Sequence, residues 1–415
     1  MNVGECYIAW SGDEDVLEAS EHGGVITSLL KFALKSKMVD AVLFVDRRDG
    51  SRLGGVLSLV RDADSIRRPP GALHCVTPNI AKFVKNYLDG AFGFKLAVVV
   101  KPCDARAIVE LAKREQVNRE NLLMIGVNCS GTFSPQTFRV MLDRMGVKPE
   151  DVVAEEIEDG KLVLFLSNGK TVEEDLEKLE EEGLGRRENC RRCEVKIPRM
   201  ADLAVGKWGV SDGKASFVEV CSEKGALLLE EASRAGFVRV EPAGESNISE
   251  RARSEEYYLR LAEAWQKRDF GELREMKPAE RLRYWLGEFE RCVKCFACRD
   301  VCPICYCTDC RLEPERGIVK VGGLPPERMF SLLRIVHVAD SCVNCGQCQD
   351  VCMAEIPIAK LCHMINKELS EMFNYVPGMS VDEPPPLAFV SDEEARMEDP
   401  LLFFTELRGQ PAKRR

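Results

Sequence analysis

This sequence of 415 residues predicts a fold of the α/β or α+β class, in which an α/β domain precedes a small cysteine-rich module. In the first 245 residues, short apolar runs alternate with segments whose apolar residues recur at helical spacing. Strands buried on both faces of a sheet, between helices, have this pattern. Near the C-terminus, eight cysteines form two runs of the same spacing, which indicates a separate module.

Three apolar runs predict central strands of the α/β domain, at 41–45, 95–100 and 122–127. Apolar residues at helical spacing predict helices at 24–34, 80–88, 105–114 and 135–145. Further along, 152–172 has the pattern of a hairpin with Asp-Gly and Asn-Gly turns, and 216–241 that of a strand–helix–strand unit. The α/β domain is therefore predicted to occupy residues 1–245.

Three segments follow this domain. Residues 246–288 are highly charged and helical in pattern, which predicts a helical connector, and residues 289–365 hold the two cysteine runs. Residues 366–415 contain three consecutive prolines and an acidic stretch, and they are predicted to form an extended arm. The acidic residues 391–397 and the apolar residues 401–404 either dock a partner or fold back on the first domain.

Composition excludes several classes of function. The net charge of −10 disfavours nucleic-acid binding, which depends on a basic surface. No apolar stretch approaches the roughly 18 to 20 residues that a membrane span needs, so direct membrane insertion is not expected. The acidic N-terminus lacks the features of a secretory leader. With 19 cysteines and no such leader, reduced thiols in a cytoplasmic protein are expected.

Each cysteine run reads Cys-x2-Cys-x2-Cys-x3-Cys, the spacing of ferredoxin-type iron–sulfur sites. Pro303 follows the first run, whereas Met353 follows the second. In a module with two 4Fe-4S clusters, three thiolates of one run and the last thiolate of the other bind each cluster. The predicted ligand sets are Cys292, Cys295, Cys298 and Cys352 for one cluster, and Cys342, Cys345, Cys348 and Cys302 for the other. Electrons are therefore expected to pass through the protein.

Zinc is the alternative for these cysteines, although its ligands usually come as two pairs separated by a dozen or more residues. Three cysteines exceed what two clusters need: Cys305, Cys307 and Cys310. With Cys362 they could make another metal site, or Cys305 could compete with Cys302 as a cluster ligand. Their remaining role would be to pack around the clusters.

Four cysteines of the first domain lie where chemistry is expected. Cys103 and Cys129 follow two predicted strands, and Cys190 and Cys193 form a Cys-x2-Cys pair. Because the ends of adjacent strands in an α/β sheet lie at its ligand-binding edge, these thiols could bind a third cluster. Buried cysteines that serve only as small apolar residues are the alternative.

A glycine pair, Gly23-Gly24, opens the first predicted helix. Glycines at this position let a phosphate or a flavin ring approach the backbone amides at the positive end of the helix. Ordinary turn geometry would also explain them. His22, which precedes the pair, is expected to be a surface or capping residue and not a catalyst.

Taken together, these motifs resemble the coenzyme F420 hydrogenase/dehydrogenase beta-subunit family. The resemblance covers roughly residues 4 to 290 and rests on the Gly23-Gly24-Val25-x-Thr27 segment, Pro102-Cys103, the segment around Cys129, and Cys190-x2-Cys193. The C-terminal position of the ferredoxin-like module, with Cys305-Tyr306-Cys307, is similar to the formate dehydrogenase branch of that family. The resemblance implies FAD, a 4Fe-4S cluster in the first domain, so three clusters in all, and hydride exchange with coenzyme F420.

The resemblance also implies roles for particular residues. The ligands of the third cluster would be Cys103, Cys129, Cys190 and Cys193, with Cys75 as a core residue. The residues that would face the flavin are Gly23, Gly24, Val25 and Thr27, with Lys101 and Asp104 on the neighbouring loop and Lys224 and Gly225 near the FAD phosphates. Two positions depart from the family pattern, His22 before the glycines and Lys101 before Pro102-Cys103.

The function expected from these parts is electron transfer within an oxidoreductase. Clusters carry one electron at a time and F420 carries a hydride, so FAD must stand between them. The partner would be a formate-oxidising subunit with a molybdenum- or tungsten-pterin, and no catalytic acid or base is assigned in this chain. The alternatives are electron transfer to a heterodisulfide-reductase-like complex, ferredoxin or NAD(P) without F420, and a zinc-bound assembly module.

Overall fold

The structure, a computed structural model of the chain, describes residues 1–48, 51–66, 71–75, 78–210, 214–307, 310, 312 and 328–387. Its strands are β1 (Cys6–Ser11), β2 (Ala41–Arg48), β3 (Ser51–Val60), β4 (Leu96–Val100), β5 (Leu122–Val127), β6 (Val152–Glu158), β7 (Lys161–Leu166), β8 (Thr171–Asp175), β9 (Leu203–Gly206), β10 (Ser216–Val220) and β11 (Val238–Pro242). Eight of them form one mixed sheet in the order β11-β1-β10-β9-β5-β4-β2-β3, and β6, β7 and β8 form a second, antiparallel sheet.

The helices are α1 (Glu14–Ala19), α2 (Val25–Lys35), α3 (Ile80–Tyr87), α4 (Pro102–Ala112), α5 (Pro135–Arg144), α6 (Leu176–Glu181), α7 (Glu188–Arg191), α8 (Glu223–Arg234), α9 (Glu245–Glu275), α10 (Pro278–Phe289), α11 (Ala297–Asp300), α12 (Arg328–Val336), α13 (Gln347–Asp350) and α14 (Ile358–Phe373). Local signals fix several helix starts. The Ser134 hydroxyl accepts a hydrogen bond from the Thr137 amide at 3.0 Å, and Pro135 occupies the first turn of α5.

The centre of the large sheet is parallel: β2, β4, β5 and β9 run in one direction. Both faces of these strands are buried. Leu43 and Val98 face a core that continues into the cysteine-rich module, whereas Val42 and Ala97 face a second core that includes α2 and α8. Continuous apolar strands are the expected consequence of burial on both faces.

The structure confirms the main elements predicted from the apolar pattern, since the three central strands are β2, β4 and β5. The hairpin predicted at 152–172 extends to three strands, because its second turn leads into β8. Residues 366–373, predicted to belong to the extended arm, are instead helical and complete α14. The helix continues because Asn366 is buried, with its carboxamide donating to the carbonyl oxygen of Ala339 at 2.8 Å, and Leu369 packs against the core of the module. Residues 391–397 and 401–404 lie outside the described residues.

The two helices that occupy 246–288, α9 and α10, follow the α/β domain directly. In the described part of the chain, none of the helices combines the length and the apolar composition of a membrane-spanning segment.

Candidate functional site

The carboxyl ends of β4, β5 and β9 meet at one edge of the sheet, because the three strands are parallel. Each of these strands is followed by polar residues: Lys101 follows β4, Asn128 and Cys129 follow β5, and Lys207 follows β9. All four residues line one cavity of about 290 Å³. The edge is the place where ligands bind in open α/β sheets.

The glycine pair lies beside this cavity, which Gly24, Val25 and Thr27 line. Both glycines have left-handed backbone conformations, with φ of +76° at Gly23 and +66° at Gly24. A Cβ at Gly24 would lie 2.8 Å from Cγ1 of Val16. The turn therefore needs glycine for steric reasons, and it also aims the positive N-terminus of the 11-residue helix α2 at the cavity.

Lys101 lines the cavity, and the carboxylate of Asp104 holds the Lys101 side chain in place. The fully buried Asp104 carboxylate accepts hydrogen bonds from the backbone N of Ile80 (3.1 Å) and Lys101 (3.1 Å), and from Nζ of Lys101 (2.7 Å). Burial disfavours the ammonium, but Asp104 and the Cys103 thiol outweigh it, so the pKa of Lys101 is raised. Lys101 therefore stays protonated at the cavity wall, as the partner of the Asp104 carboxylate.

Lys224 and Gly225 do not lie at this cavity. Nζ of Lys224 donates to the backbone oxygen (2.9 Å) and the carboxylate (2.7 Å) of Glu120, which precedes β5 and so marks the opposite edge of the sheet. A Cβ at Gly225 would lie 2.0 Å from the carbonyl oxygen of Asp202. Close packing of α8 against that loop accounts for the glycine, and we do not include these two residues among the proposed flavin contacts.

The four candidate ligands of the first domain, Cys103, Cys129, Cys190 and Cys193, lie close together next to the cavity. Burial raises the pKa of Cys129 to about 11, and the neighbouring thiols of Cys190 and Cys193 act in the same direction. Burial also raises the pKa of Cys103, with a further contribution from Cys129. Sγ of Cys190 lies 3.5 Å from the hydroxyl of Thr132, another residue of the cavity wall. Cys129 itself lines the cavity, so the cysteine set and the cavity share a residue.

The eight cysteines of the two runs fall into two groups. Burial raises the pKa of Cys298 to about 11, and the thiols that add to this effect are Cys292, Cys352 and Cys295. Burial raises the pKa of Cys348 as well, and there the contributing thiols are Cys302, Cys345 and Cys342. The last cysteine of each run therefore lies with the first three of the other run.

In the described residues, no three cysteine, histidine or carboxylate side chains converge closely enough to hold a single metal ion. A mononuclear site would require such convergence. A four-iron cluster differs in this respect, because each of its thiolates binds a different iron and the thiols surround the cluster.

Hydrogen bonds join the first cysteine set to the module. The guanidinium of Arg187 donates to the carbonyl oxygen of Cys345 (3.0 Å) and pairs with Asp350. The carboxamides of Asn189 and Asn344 each donate to the backbone oxygen of the other, at 3.2 and 2.9 Å. Cys345 is also among the groups that raise the pKa of Cys103. The group containing Cys345 is therefore next to the cysteines of the first domain.

The surplus cysteines do not form one cluster. Cys305, Cys307 and Cys310 line a small separate pocket together with His337. Cys362 instead shares a hydrogen bond with Cys342, which lowers the pKa of Cys342 to about 7.

Sequence reasoning missed several polar residues of the cavity. Both polar atoms of the Asn128 carboxamide are buried without a hydrogen-bond partner among the described residues. Glu156 and Lys207 line the cavity as an ion pair, and Nε2 of His22 lies 2.5 Å from Oε1 of Glu156. Asn128 and Lys207 each directly follow a strand, a signal that could have identified them. Nothing in the local sequence of Glu156 marks it.

Models of the N-terminal and C-terminal parts of the coenzyme F420 hydrogenase/dehydrogenase beta subunit match residues 6–83 and 93–246. Together these matches cover more than half of the chain. This chain belongs to the coenzyme F420 hydrogenase/dehydrogenase beta-subunit family. It is therefore a subunit of an oxidoreductase, and the resemblance predicted from its motifs is confirmed.

Curated members of this family resemble the chain over nearly all of its length. The F420-dependent formate dehydrogenase subunit beta of Methanocaldococcus jannaschii is 41% identical over 375 residues, which are 90% of this chain and 96% of the relative. The F420-dependent formate dehydrogenase 1 subunit beta of Methanococcus maripaludis is 40% identical over 388 residues, 92% of this chain and 97% of the relative. The cysteine-rich module thus lies within the region that these beta subunits share with the chain.

A solved structure has the same fold. A chain of the F420-reducing [NiFe] hydrogenase complex from Methanosarcina barkeri superposes with a TM-score of 0.56 at 20% sequence identity. The match covers 64% of this chain and 92% of the hydrogenase chain. The fold of this chain, with its mixed sheet, is therefore the fold of the F420 hydrogenase/dehydrogenase beta-subunit family.

Proposed function

We propose that this chain is the electron-transfer subunit of an F420-dependent formate dehydrogenase. In this role it passes electrons between a formate-oxidising subunit and coenzyme F420, through three 4Fe-4S clusters and FAD. Two beta subunits of F420-dependent formate dehydrogenases, each about 40% identical and matched over nearly their whole length, support the assignment. A beta subunit also implies a catalytic partner, which we propose carries the molybdenum- or tungsten-pterin.

The observation that carries this proposal is the position of Cys129. Its thiol lines the cavity and also lies beside Cys190 and Cys193. A cluster bound by these cysteines and Cys103 would therefore adjoin whatever occupies the cavity. This is the arrangement that electron transfer from a cluster to a redox cofactor requires.

The residues of the cavity fit a flavin. The N-terminus of α2 and the ammonium of Lys101 favour the negative charge of a phosphate or of a reduced flavin ring. The carboxamide of Asn128 offers an unpaired donor and an unpaired acceptor, which suit the alternating donors and acceptors of a flavin's pyrimidine edge. When bound, FAD would supply the exchange between single electrons and a hydride.

The contacts between the cysteine groups suggest an order for the electron path. The group of Cys292, Cys295, Cys298 and Cys352 contains Cys295, which is exposed, and it would be the entry point from the partner. The group of Cys302, Cys342, Cys345 and Cys348 would be next, since Arg187, whose carbonyl oxygen binds the amide of Cys190, donates to the carbonyl oxygen of Cys345. The cluster of the first domain and the flavin would follow.

Two measurements test the proposal on the anaerobic, cofactor-loaded protein. Iron and acid-labile sulfide analysis should give about twelve of each per chain, the content of three 4Fe-4S clusters. Mixing with reduced F420 should bleach the flavin and then the clusters. Zinc without sulfide, or a flavin that reduced F420 does not bleach, would reject the proposal.

A pair of cysteine variants locates the cluster next to the cavity. Cys129→Ser should remove about four irons and interrupt electron transfer between the flavin and the remaining clusters. Cys221→Ser is the matched control, because Cys221 follows β10 at the opposite edge of the sheet and donates to the carbonyl of Glu219. The control should keep the full iron content.

A further inference from the structure

The proposed reaction needs a proton at the cavity. Clusters deliver two electrons one at a time, whereas F420 leaves with a hydride, which is two electrons and one proton. Two reduced clusters, one proton and oxidised carrier therefore give two oxidised clusters and the hydride-loaded carrier. Because the clusters carry no proton, the proton must come from water and reach the cofactor by way of groups at the cavity wall.

A continuous line of titratable side chains runs from the cavity to the surface. Nε2 of His22 lies 2.5 Å from Oε1 of Glu156, and the other carboxylate oxygen of Glu156 pairs with Nζ of Lys207. Nζ of Lys207 lies 3.1 Å from Oε2 of Glu158, whose side chain is about half exposed. His22, Glu156 and Lys207 all line the cavity. Glu158, at the end of β6, completes the line to the solvent.

We propose that His22, Glu156 and Lys207 form the proton relay of this subunit, with His22 as the group that donates to the redox cofactor in the cavity. The inference rests on the proposed function, since it concerns the same cavity and the same two-electron exchange. Histidine suits the role because it can accept a proton at one ring nitrogen and release one from the other. Glu156 stands between Lys207 and His22, so it passes the proton on and also orients the ring.

The groups around His22 act on its pKa in opposite directions. Burial and the nearby Lys207 lower the pKa of His22, whereas Glu21 and Glu158 oppose them. Burial lowers the pKa of His74, another residue of the cavity wall, to about 3, and Lys207 and His22 act in the same direction. Burial lowers the pKa of Lys207 to about 8, while the adjacent carboxylates of Glu156 and Glu158 favour its ammonium form.

Two successive steps, reduction of the flavin by F420 and transfer of electrons from the flavin to the clusters, distinguish a proton-relay role of His22 from a structural role. When reduced F420 is mixed with the loaded protein, the hydride enters with its own proton, so the first step needs nothing from His22. The next step sends two electrons to the clusters and releases that proton. His22→Gln should leave flavin bleaching within about twofold of the wild-type rate and slow cluster reduction at least tenfold.

Rapid-mixing absorbance follows the flavin, and freeze-quenched electron paramagnetic resonance follows the clusters. Added imidazole should restore part of the lost rate in His22→Gln, as expected when a missing proton carrier is replaced. Glu173→Gln, which alters an exposed pair with Lys161 on the same small sheet, is the matched control and should behave as wild type. Equal slowing of both steps, or no slowing of cluster reduction, would overturn the relay.

The same variant separates this inference from the proposed function. If wild-type clusters, reduced chemically, reduce the flavin but reduced F420 does not, the carrier assignment is wrong. In that case the relay hypothesis still predicts that His22→Gln slows reduction of the flavin by the clusters at least tenfold. An unchanged rate of this step would reject the relay.

Discussion

The buried carboxamide of Asn128 sits at the carboxyl end of β5 without a hydrogen-bond partner among the described residues. An unsatisfied buried polar group costs about 1–3 kcal/mol, so a bound ligand that pairs with it recovers this energy. Asn128→Ala should therefore lower FAD affinity about tenfold, while the unfolding free energy without FAD changes by less than about 1 kcal/mol. Equilibrium FAD titration and denaturant unfolding check the two values.

Asn121, which precedes the same strand, provides the control for Asn128. Its carboxamide donates to the carbonyl oxygen of Ala91 at 2.9 Å, so its hydrogen bonding is internal. Asn121→Ala should cost about 1 kcal/mol of stability and leave FAD affinity unchanged. If both variants lose affinity equally, Asn128 does not contact the flavin.

Arg334 is a buried cation next to both cysteine groups of the module. Burial opposes its charge, but thiols that include Cys302 and Cys298 hold the pKa of Arg334 above its ordinary value. A reduced cluster is more negative than an oxidised one, so a nearby cation raises the reduction potential. Arg334→Gln should lower the potentials of the two module clusters by on the order of 50 mV, which is about 1 kcal/mol of lost attraction.

Redox titration monitored by electron paramagnetic resonance measures the effect of Arg334→Gln. Arg281→Gln is the control, because Arg281 forms a surface pair with Glu368 at 3.5 Å. Potentials that shift equally in both variants would show that the charge at Arg334 has no particular influence on the clusters.

Among the secondary-structure elements, two helix glycines differ in whether a Cβ atom would fit. Gly271 lies within α9, and a Cβ there would meet no atom within 4 Å. Gly271→Ala should stabilise the protein by about 0.5–1 kcal/mol, because alanine loses less backbone entropy in a helix. Gly225→Ala should destabilise it by about 1–3 kcal/mol, because its Cβ would lie 2.0 Å from the Asp202 carbonyl. Thermal unfolding with and without FAD checks both signs.

The apolar runs predicted β2, β4 and β5 because strands buried on both faces need continuous apolar residues. The same reasoning overlooked β9, which is only four residues long although both its faces are buried. It is placed by pairing with β5 and β10 on either side. Short elements of this kind depend on their neighbours, so local pattern carries little information about them.

At the scale of the whole molecule, Glu110 of α4 fastens the C-terminal segment to the α/β domain. Its fully buried carboxylate accepts hydrogen bonds from Nζ of Lys113 (2.8 Å), the hydroxyl of Tyr375 (2.6 Å) and the backbone N of Gly378 (2.7 Å). Arg114 pairs with it as well. Burial disfavours the carboxylate, but these donors outweigh that effect and lower the pKa of Glu110.

Because the pKa of Glu110 is lower in the folded state than in the unfolded state, the ionised carboxylate contributes to the free energy of unfolding. This contribution is complete above the unfolded pKa of about 4.5 and is lost as the pH falls through the lower pKa of the folded state. The wild-type protein should therefore lose this stability on acidification. Glu110→Ala should lower the free energy of unfolding by about 3–5 kcal/mol at neutral pH, because it leaves buried cations uncompensated. The variant should also lose less stability than the wild type when the pH is lowered. Denaturant unfolding from pH 3 to 7 measures both. If the variant loses as much stability at low pH as the wild type, Glu110 is not the source of that loss.

The class of the fold, the central strands and the cysteines that are candidates for clusters can all be inferred from the sequence. These features are local: apolar periodicity reflects burial, and cysteine spacing reflects the loop that surrounds a cluster. Only the folded chain brings Arg187 to the carbonyl oxygen of Cys345, Cys129 to the cavity and His22 to Glu156. These contacts join segments far apart in the chain, and their positions follow only from how the sheet, the small sheet and the module pack together.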